Sequence, residues 1–252
     1  MSPPEFINTR RVPVSQFPHE RPILFSASMV RALLDGSKTQ TRRVVKPRRD
    51  RGIGCDLAPH EIAGEINGGD FTNAVYGAPG ERLWVRESWQ GPLIDSDLFE
   101  QHGGDMAPFR KPDYCRYAAD GGPRPEYLDA DDRLRQGWKP GIHMFRWASR
   151  ITLEITGVRI ERLQYITEAD ALAEGTPGGH GTVPGYGYAA TPVEHYRWLW
   201  ESLNAAGRPV LPADPQAKRY CRVKAWLDKH PDTTSWAANP WVWVVEFRRL
   251  EK

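Results

Sequence analysis

The chain is expected to fold as an α+β domain, and three stretches carry that expectation. Trp241, Trp243, Val245 and Phe247 alternate with Val242, Val244, Glu246 and Arg248, so a strand with a wholly apolar face opposes one that turns charged near its end. Ile151, Leu153 and Ile155 alternate with Thr152, Glu154 and Thr156 inside a run from Met144 to Val158 that reads as a half-buried strand. Val193, Tyr196, Leu199, Trp200 and Leu203 recur at helical spacing instead, behind Thr191, Pro192 and Glu194, which form a capping start with proline at the first helical position. That aromatic stripe reads as core packing, because an amphipathic helix needs such a face in any case.

The remaining elements follow in chain order. Residues 1–20 read as an N-terminal extension and 21–252 as one domain. A first helix is expected from about Ser28 to Asp35, where Met29, Ala32 and Leu33 share a face, a serine caps the start and Gly36 suits a left-handed stop. Thr41 to Val45 has strand character, ended by Pro47 and a charged run to Arg51. Leu83, Trp84 and Val85 read as a short buried strand entered through the turn at Pro79 and Gly80. Thr167 with Asp170 resembles a capping box that opens a short helix, which Gly175 closes. The helix after Thr191 is expected to stop at Gly207. Four segments rich in glycine, proline and charge, at about 48–71, 94–137, 176–190 and 208–235, read as long loop insertions, the usual carriers of lids and binding loops.

Composition narrows the function classes. A net charge of +2 over 252 residues does not by itself indicate nucleic acid. The three cysteines, Cys55, Cys115 and Cys221, lack the paired spacing of a metal knuckle or disulfide framework. No apolar run approaches the roughly 20 residues that span a bilayer, and the N-terminus carries charges and prolines where a signal peptide is apolar. A cytoplasmic protein without metal, cofactor or membrane partner is therefore expected. Arg42, Arg43, Lys46, Arg48, Arg49 and Arg51 form a local basic run that fits either a phosphate-bearing partner or a solvated loop.

The segment from Leu33 to Arg43 sets an amine, Lys38, two threonine hydroxyls, Thr39 and Thr41, and two guanidinium groups just beyond a helix stop. Ile166 to Gly175 supplies a carboxylate, Glu174, at another helix end. Lysine, threonine and glutamate suit hydrolysis: a desolvated amine is a base, a hydroxyl attacks or orients water, and a carboxyl group carries the proton to a leaving nitrogen. Lys38 and Thr41 lie on opposite faces of a regular strand, so their meeting requires a break at Thr39 and Gln40. Arg86 and Glu87 beside Trp84 and Trp89 fit phosphate and base recognition, or a buried ion pair between core tryptophans. Arg150, at a strand start, reads either as a cleft residue or as an ordinary surface arginine. The glycines from Gly178 to Gly187 are no phosphate cradle, since no strand precedes them and no Gly-Lys-Ser/Thr closes them.

Gly36 to Arg42 resembles the signature of the ASCH domain family, a branch of the PUA-like superfamily: glycine, any residue, lysine, then a short polar stretch ending in arginine. Gly80 to Trp89 is similar to a second block of that family, and Ile166 to Gly175 to its helix ending in Glu-Gly. Asn239 to Phe247 resembles long, often phage-encoded members. The resemblance implies a small PUA-like mixed β-barrel flanked by helices. It also implies amidohydrolase activity on the N4-acyl group of a modified cytidine, as nucleoside, RNA or DNA, with catalytic roles on Lys38, Thr41 and Glu174. Arg42, Arg43, Arg86, Glu87, Trp89 and Arg150 are then the expected substrate-binding residues. A non-catalytic RNA or modified-base binding module and a ribonuclease stand as alternatives. The chain departs from the family pattern in holding Gln40 where many members have an acidic or aliphatic residue, and in being more than twice as long as the small hydrolases.

Overall fold

A mixed five-stranded sheet organises the protein, seen in a computed structural model that describes residues 18–128, 133–204, 216, 220–229 and 231–251. The expected N-terminal extension falls almost wholly outside the described residues, as do the expected helix stop at Gly207 and much of the 208–235 segment. Strands β1 (Glu20–Leu24), β2 (Gln40–Val44), β3 (Arg82–Arg86), β4 (Thr152–Arg162) and β5 (Trp241–Leu250) lie in the order β1-β3-β4-β5-β2. Only the β1–β3 pairing is parallel. Helices are α1 (Ala27–Leu34), α2 (Pro59–Asn67), α3 (Ser96–Gln101), α4 (Glu168–Ala173), α5 (Pro192–Asn204) and α6 (Tyr220–Lys229). The α+β class is as expected. The barrel is not closed: β1 and β2 end the strand order, and no strand among the described residues joins them.

Strand β5 is apolar on both faces rather than one, because helices cover the second face. Trp243, Val245 and Phe247 enter the main core with Val30, Leu33, Leu83 and Leu153, while Val242 and Val244 pack with Leu163, Ala171, Tyr196 and Trp200. Strand β4 starts at Thr152, later than expected from Met144, because Gly141–His143 and Arg146–Ala148 are 3-10 turns. Met144 and Ala148 pack there in a separate cluster with Trp89, Cys115 and Tyr117. The β4–β5 register slips between Ile155 and Gly157, leaving Thr156 as a bulge.

Local capping accounts for the helices that the sequence announced. Ser26, two residues ahead of the expected cap, accepts a hydrogen bond from the Met29 N–H, and Gly36 past the helix end has φ +83°. Asp170 N–H donates to Thr167 Oγ1 while Thr167 N–H donates to the Asp170 carboxylate, a reciprocal cap for α4. Thr191 and Glu194 exchange the same pair of bonds at the start of α5. The expected loop over 48–71 instead contains α2, opened by Pro59 and by a hydrogen bond from Ala58 N–H to Glu61. Ile62, Ala63 and Ile66 drive that helix into the main core.

Helix α2 is thus part of the fold's apolar interior. Ile62→Ala should lower the stability measured by urea unfolding by about 2–4 kcal/mol. Ile53→Ala, at a side chain 85 % exposed, should change it by less than about 0.5 kcal/mol. Equal effects at the two positions would contradict this assignment of the core.

Candidate active site

Two chain reversals bring the site together. After α1 the chain turns at Gly36, and Lys38 N–H donates to the Ala32 carbonyl while Thr39 N–H donates to Ala173 at 2.8 Å. Helix α4 ends against the same place: Gly175 has φ +85°, and a Cβ there would lie 3.1 Å from Ala32 Cβ and 3.4 Å from Lys38 Cβ. Lys38 and Glu174 form an antiparallel bridge just ahead of β2, so the break in regular strand geometry falls before Gln40.

Lys38 Nζ donates to Glu174 Oε2 at 2.8 Å and to the Glu174 backbone carbonyl at 2.9 Å. These residues are only 3 % and 5 % exposed, so both charges lie out of water. Glu174 Oε1 accepts from Arg42 Nη1 at 3.4 Å, and Arg42 Nη2 also reaches Glu161 at 2.6 Å and Asp170 at 3.3 Å. Arg159 pairs with Glu161, Asp170 and Glu246 on the outer side of this network, and Gln40 Nε2 donates to Asp170 at 3.2 Å. Burial pushes the Lys38 ammonium below the ordinary lysine range. Glu174 opposes that shift, while Arg43 and Arg42 add to it. For Asp170, burial favours the neutral acid, but bonds from the Thr167 N–H and hydroxyl, with the Arg42 charge, outweigh it and bring the carboxyl to about 2.

Strand β2 lies at the sheet edge, and a cleft of about 750 Å³ wraps that edge. Thr41 and Arg43 pair with Val245 and Trp243 on the main-core face, whereas Arg42 and Val44 pair with Val244 and Val242 on the face covered by α4 and α5. Thr41, Glu174, Arg42, Arg43 and Lys46 all line the cleft, together with the aromatic side chains of Phe25, Tyr76, Tyr196 and Trp200. Lys38 is not on the wall but behind Glu174. Across the cleft stands the end of β1, whose Leu24 carbonyl accepts from Arg43 Nη2 at 2.7 Å. Phe25 lies 5.4 Å from the same guanidinium and 5.8 Å from Lys38 Nζ.

Arg86, Glu87, Trp89 and Arg150 are not brought to this cleft. Glu87 receives two bonds from Arg150, at 2.9 and 3.1 Å, although burial raises its pKa. Arg150 also pairs with Asp120 at 2.7 Å and lies 3.9 Å from the Tyr117 ring centre. Trp89 is fully buried, edge-on to Phe145 and Trp147, where no base can stack. Arg86 lies 4.6 Å over Trp84. The buried ion pair foreseen around Glu87 therefore exists, but its cation is Arg150 and not Arg86. Beyond Lys46, the basic run is committed to its own turn: Arg48, Arg49 and Arg51 donate to the carbonyls of Asn73, Gly54 and Thr72. Among the described residues no group of three or more His, Cys, Asp or Glu could hold a metal ion.

Sequence reasoning missed Glu161, Asp170, Phe25 and Tyr76 as members of the site. Arg159 and Glu161 alternate with Val158 and Ile160, which marks an outward strand face, and only the docking of α4 closes that face over Arg42. Comparison with protein-family models, with curated proteins and with solved structures gives no match to this chain.

The lowered Asp170 pKa fixes the sign of an acid dependence. Its folded value of about 2 lies below the ordinary 3.8, so its stabilising effect is complete above the higher value and is lost as pH falls through the lower. Asp170→Asn should cost about 1–2 kcal/mol at neutral pH, solvent screening allowed for, and flatten the unfolding midpoint across that acid window. An acid profile identical to the parent protein's would remove Asp170 from this role.

Proposed function

We propose that the protein is an ASCH-type amidohydrolase of PUA-like architecture that removes an acyl group from the N4 of a modified cytidine. One observation carries the reading: Glu174, hydrogen-bonded through its carboxylate to a buried lysine, borders the same cleft as Thr41. Phe25, Tyr76, Tyr196 and Trp200 also line that cleft and offer aromatic surface for a pyrimidine.

In the proposed reaction Lys38 acts as the neutral amine, a form that its desolvation favours. Thr41, or a water that it orients, attacks the acyl carbon and gives its proton to the Lys38 amine. The tetrahedral intermediate collapses as that proton passes from Lys38 through Glu174 to N4, releasing cytidine and returning the amine to its neutral form. If Thr41 carries the acyl group, water then cleaves the ester, its proton passing by way of Lys38 to the Thr41 oxygen.

A second reading, a module that binds the modified base without turnover, is favoured by the position of Lys38 behind the wall, its amine bonded among the described residues only to Glu174. A ribonuclease has less support, since among the described residues no histidine lines the cleft to serve as acid or base.

Turnover of N4-acetylcytidine, followed by chromatography of the released cytidine, separates these readings. Lys38→Met and Thr41→Ala should each lower kcat by about 10²-fold or more, with circular dichroism unchanged. Turnover in the parent protein should rise with pH through a group titrating below the ordinary lysine value, because the neutral amine is the active form. Unchanged turnover in Lys38→Met would remove the lysine from the reaction, and binding of N4-acetylcytidine without any turnover would establish the second reading.

A further inference from the structure

Four charged side chains among the described residues line the cleft, and they are unequally compensated. Glu174 is answered by Lys38 and Arg42, and Arg42 in turn by Glu161 and Asp170. Arg43 and Lys46 have no carboxylate within ion-pair distance among the described residues. Arg43 is held in place by a single bond to the Leu24 carbonyl and by the Phe25 ring, with its other guanidinium nitrogens unbonded to any described residue. A partly buried guanidinium fixed by a neutral carbonyl and a ring retains its full positive charge and a free donor edge. Such an edge matches the geometry of a phosphate.

Position along the strand adds a direction. Thr41 and Arg43 share one face of β2, two residues apart, which is about 7 Å. Lys46, exposed two residues past the end of β2, also lines the cleft. Tyr76 lines the wall near Arg43, and burial raises its pKa, so its hydroxyl remains a neutral donor. A base placed at Thr41 and Glu174 therefore directs its sugar along β2 toward these donors.

Resting on the cytidine reading above, we infer that the cleft takes a phosphorylated substrate. Arg43 and Lys46 hold a phosphate of the nucleotide while the base lies toward Thr41 and Glu174. A neutral nucleoside leaves two cations of the cleft unanswered, whereas a phosphate ester answers both. The shared chemistry is a cytidine phosphate, supplied either by a mononucleotide or by a polynucleotide strand.

Calorimetric titration with cytidine, cytidine 5′-monophosphate and a short cytidine-containing oligonucleotide tests the inference without requiring turnover. The monophosphate should bind about tenfold or more tightly than cytidine, a preference expected of one charge-assisted contact pair. Arg43→Gln and Lys46→Gln should each shrink that preference, and added salt should shrink it in the parent protein. An oligonucleotide matching or exceeding the monophosphate identifies a strand as the source; a weaker one identifies a mononucleotide. Equal affinity for cytidine and its monophosphate would overturn the phosphate inference whatever the protein hydrolyses. A preserved phosphate preference with no deacylation of any N4-acetylated form would sink the hydrolase reading alone.

Discussion

The buried Lys38–Glu174 pair is the constraint from which the rest of the site follows. Removing a carboxylate and an ammonium from water costs several kcal/mol for each ion, and only close geometry with additional hydrogen bonds offsets it. Both oxygens of Glu174 are occupied, one by Lys38 and one by Arg42, and Lys38 has a second acceptor in the Glu174 carbonyl. The pair also joins two segments remote in sequence: the turn from α1 into β2 and the end of α4, 136 residues later. Gly175 permits that approach, since it combines a left-handed backbone with almost no room for a side chain between Ala32 and Lys38. Thr41 therefore reaches the cleft because the chain just ahead of it is anchored.

The cleft itself follows from an incomplete sheet. A closed barrel has no edge, but an open sheet leaves a row of unpaired backbone groups along its terminal strands. Here the free edge of β2 is shielded by α4 and α5 on one face and approached by the end of β1 on the other. A side-chain bond from Arg43 to Leu24 crosses the gap. The space that further strand pairing would fill is left as a polar-edged, aromatic-walled groove. That is a suitable place for a planar ligand, because it combines apolar contact area with a small number of fixed polar groups.

The sequence disclosed those parts of the fold that depend on neighbours along the chain. Thr167, Asp170 and Gly175, and Thr191 with Glu194, act through hydrogen bonds spanning three residues, so their helices were readable from local pattern. Alternation likewise marked β4 and β5. What escaped was set by distant packing: the second apolar face of β5 has meaning only once Tyr196 and Trp200 cover it. Helix α2 shows a different kind of miss, since Pro59, Glu61, Ile62 and Ile66 carried a readable helix start and face, masked by the glycine and charge around them. In the site, Lys38, Thr41 and Glu174 were singled out and stand close together or on one cleft. Arg86, Glu87, Trp89 and Arg150 were singled out for substrate binding and lie away from the cleft, Glu87 paired with Arg150 and Trp89 packed among other rings, because burial and ion pairing cannot be told from ligand binding by residue type alone.

The adjacent arginines Arg42 and Arg43 show how a strand turns one sequence signal into two functions. Their charge and chemistry are identical, and a motif reading treats them as one basic pair. The period of two sends Arg42 to the face where α4 brings Asp170 and Glu174 and where β4 presents Glu161, so its charge is spent on internal carboxylates. Arg43 goes to the opposite face, where the neighbours are a carbonyl and an aromatic ring, neither of which neutralises it. A one-residue slip in the β2–β5 register that set Thr41 opposite Val244 would leave Glu161, Asp170 and Glu174 without their central guanidinium and place Arg42 opposite Trp243 instead. Register against Val244 and Trp243 is therefore an electrostatic requirement as well as a packing one. The chemistry available at this edge depends on that register being held as firmly as the core holds its apolar side chains.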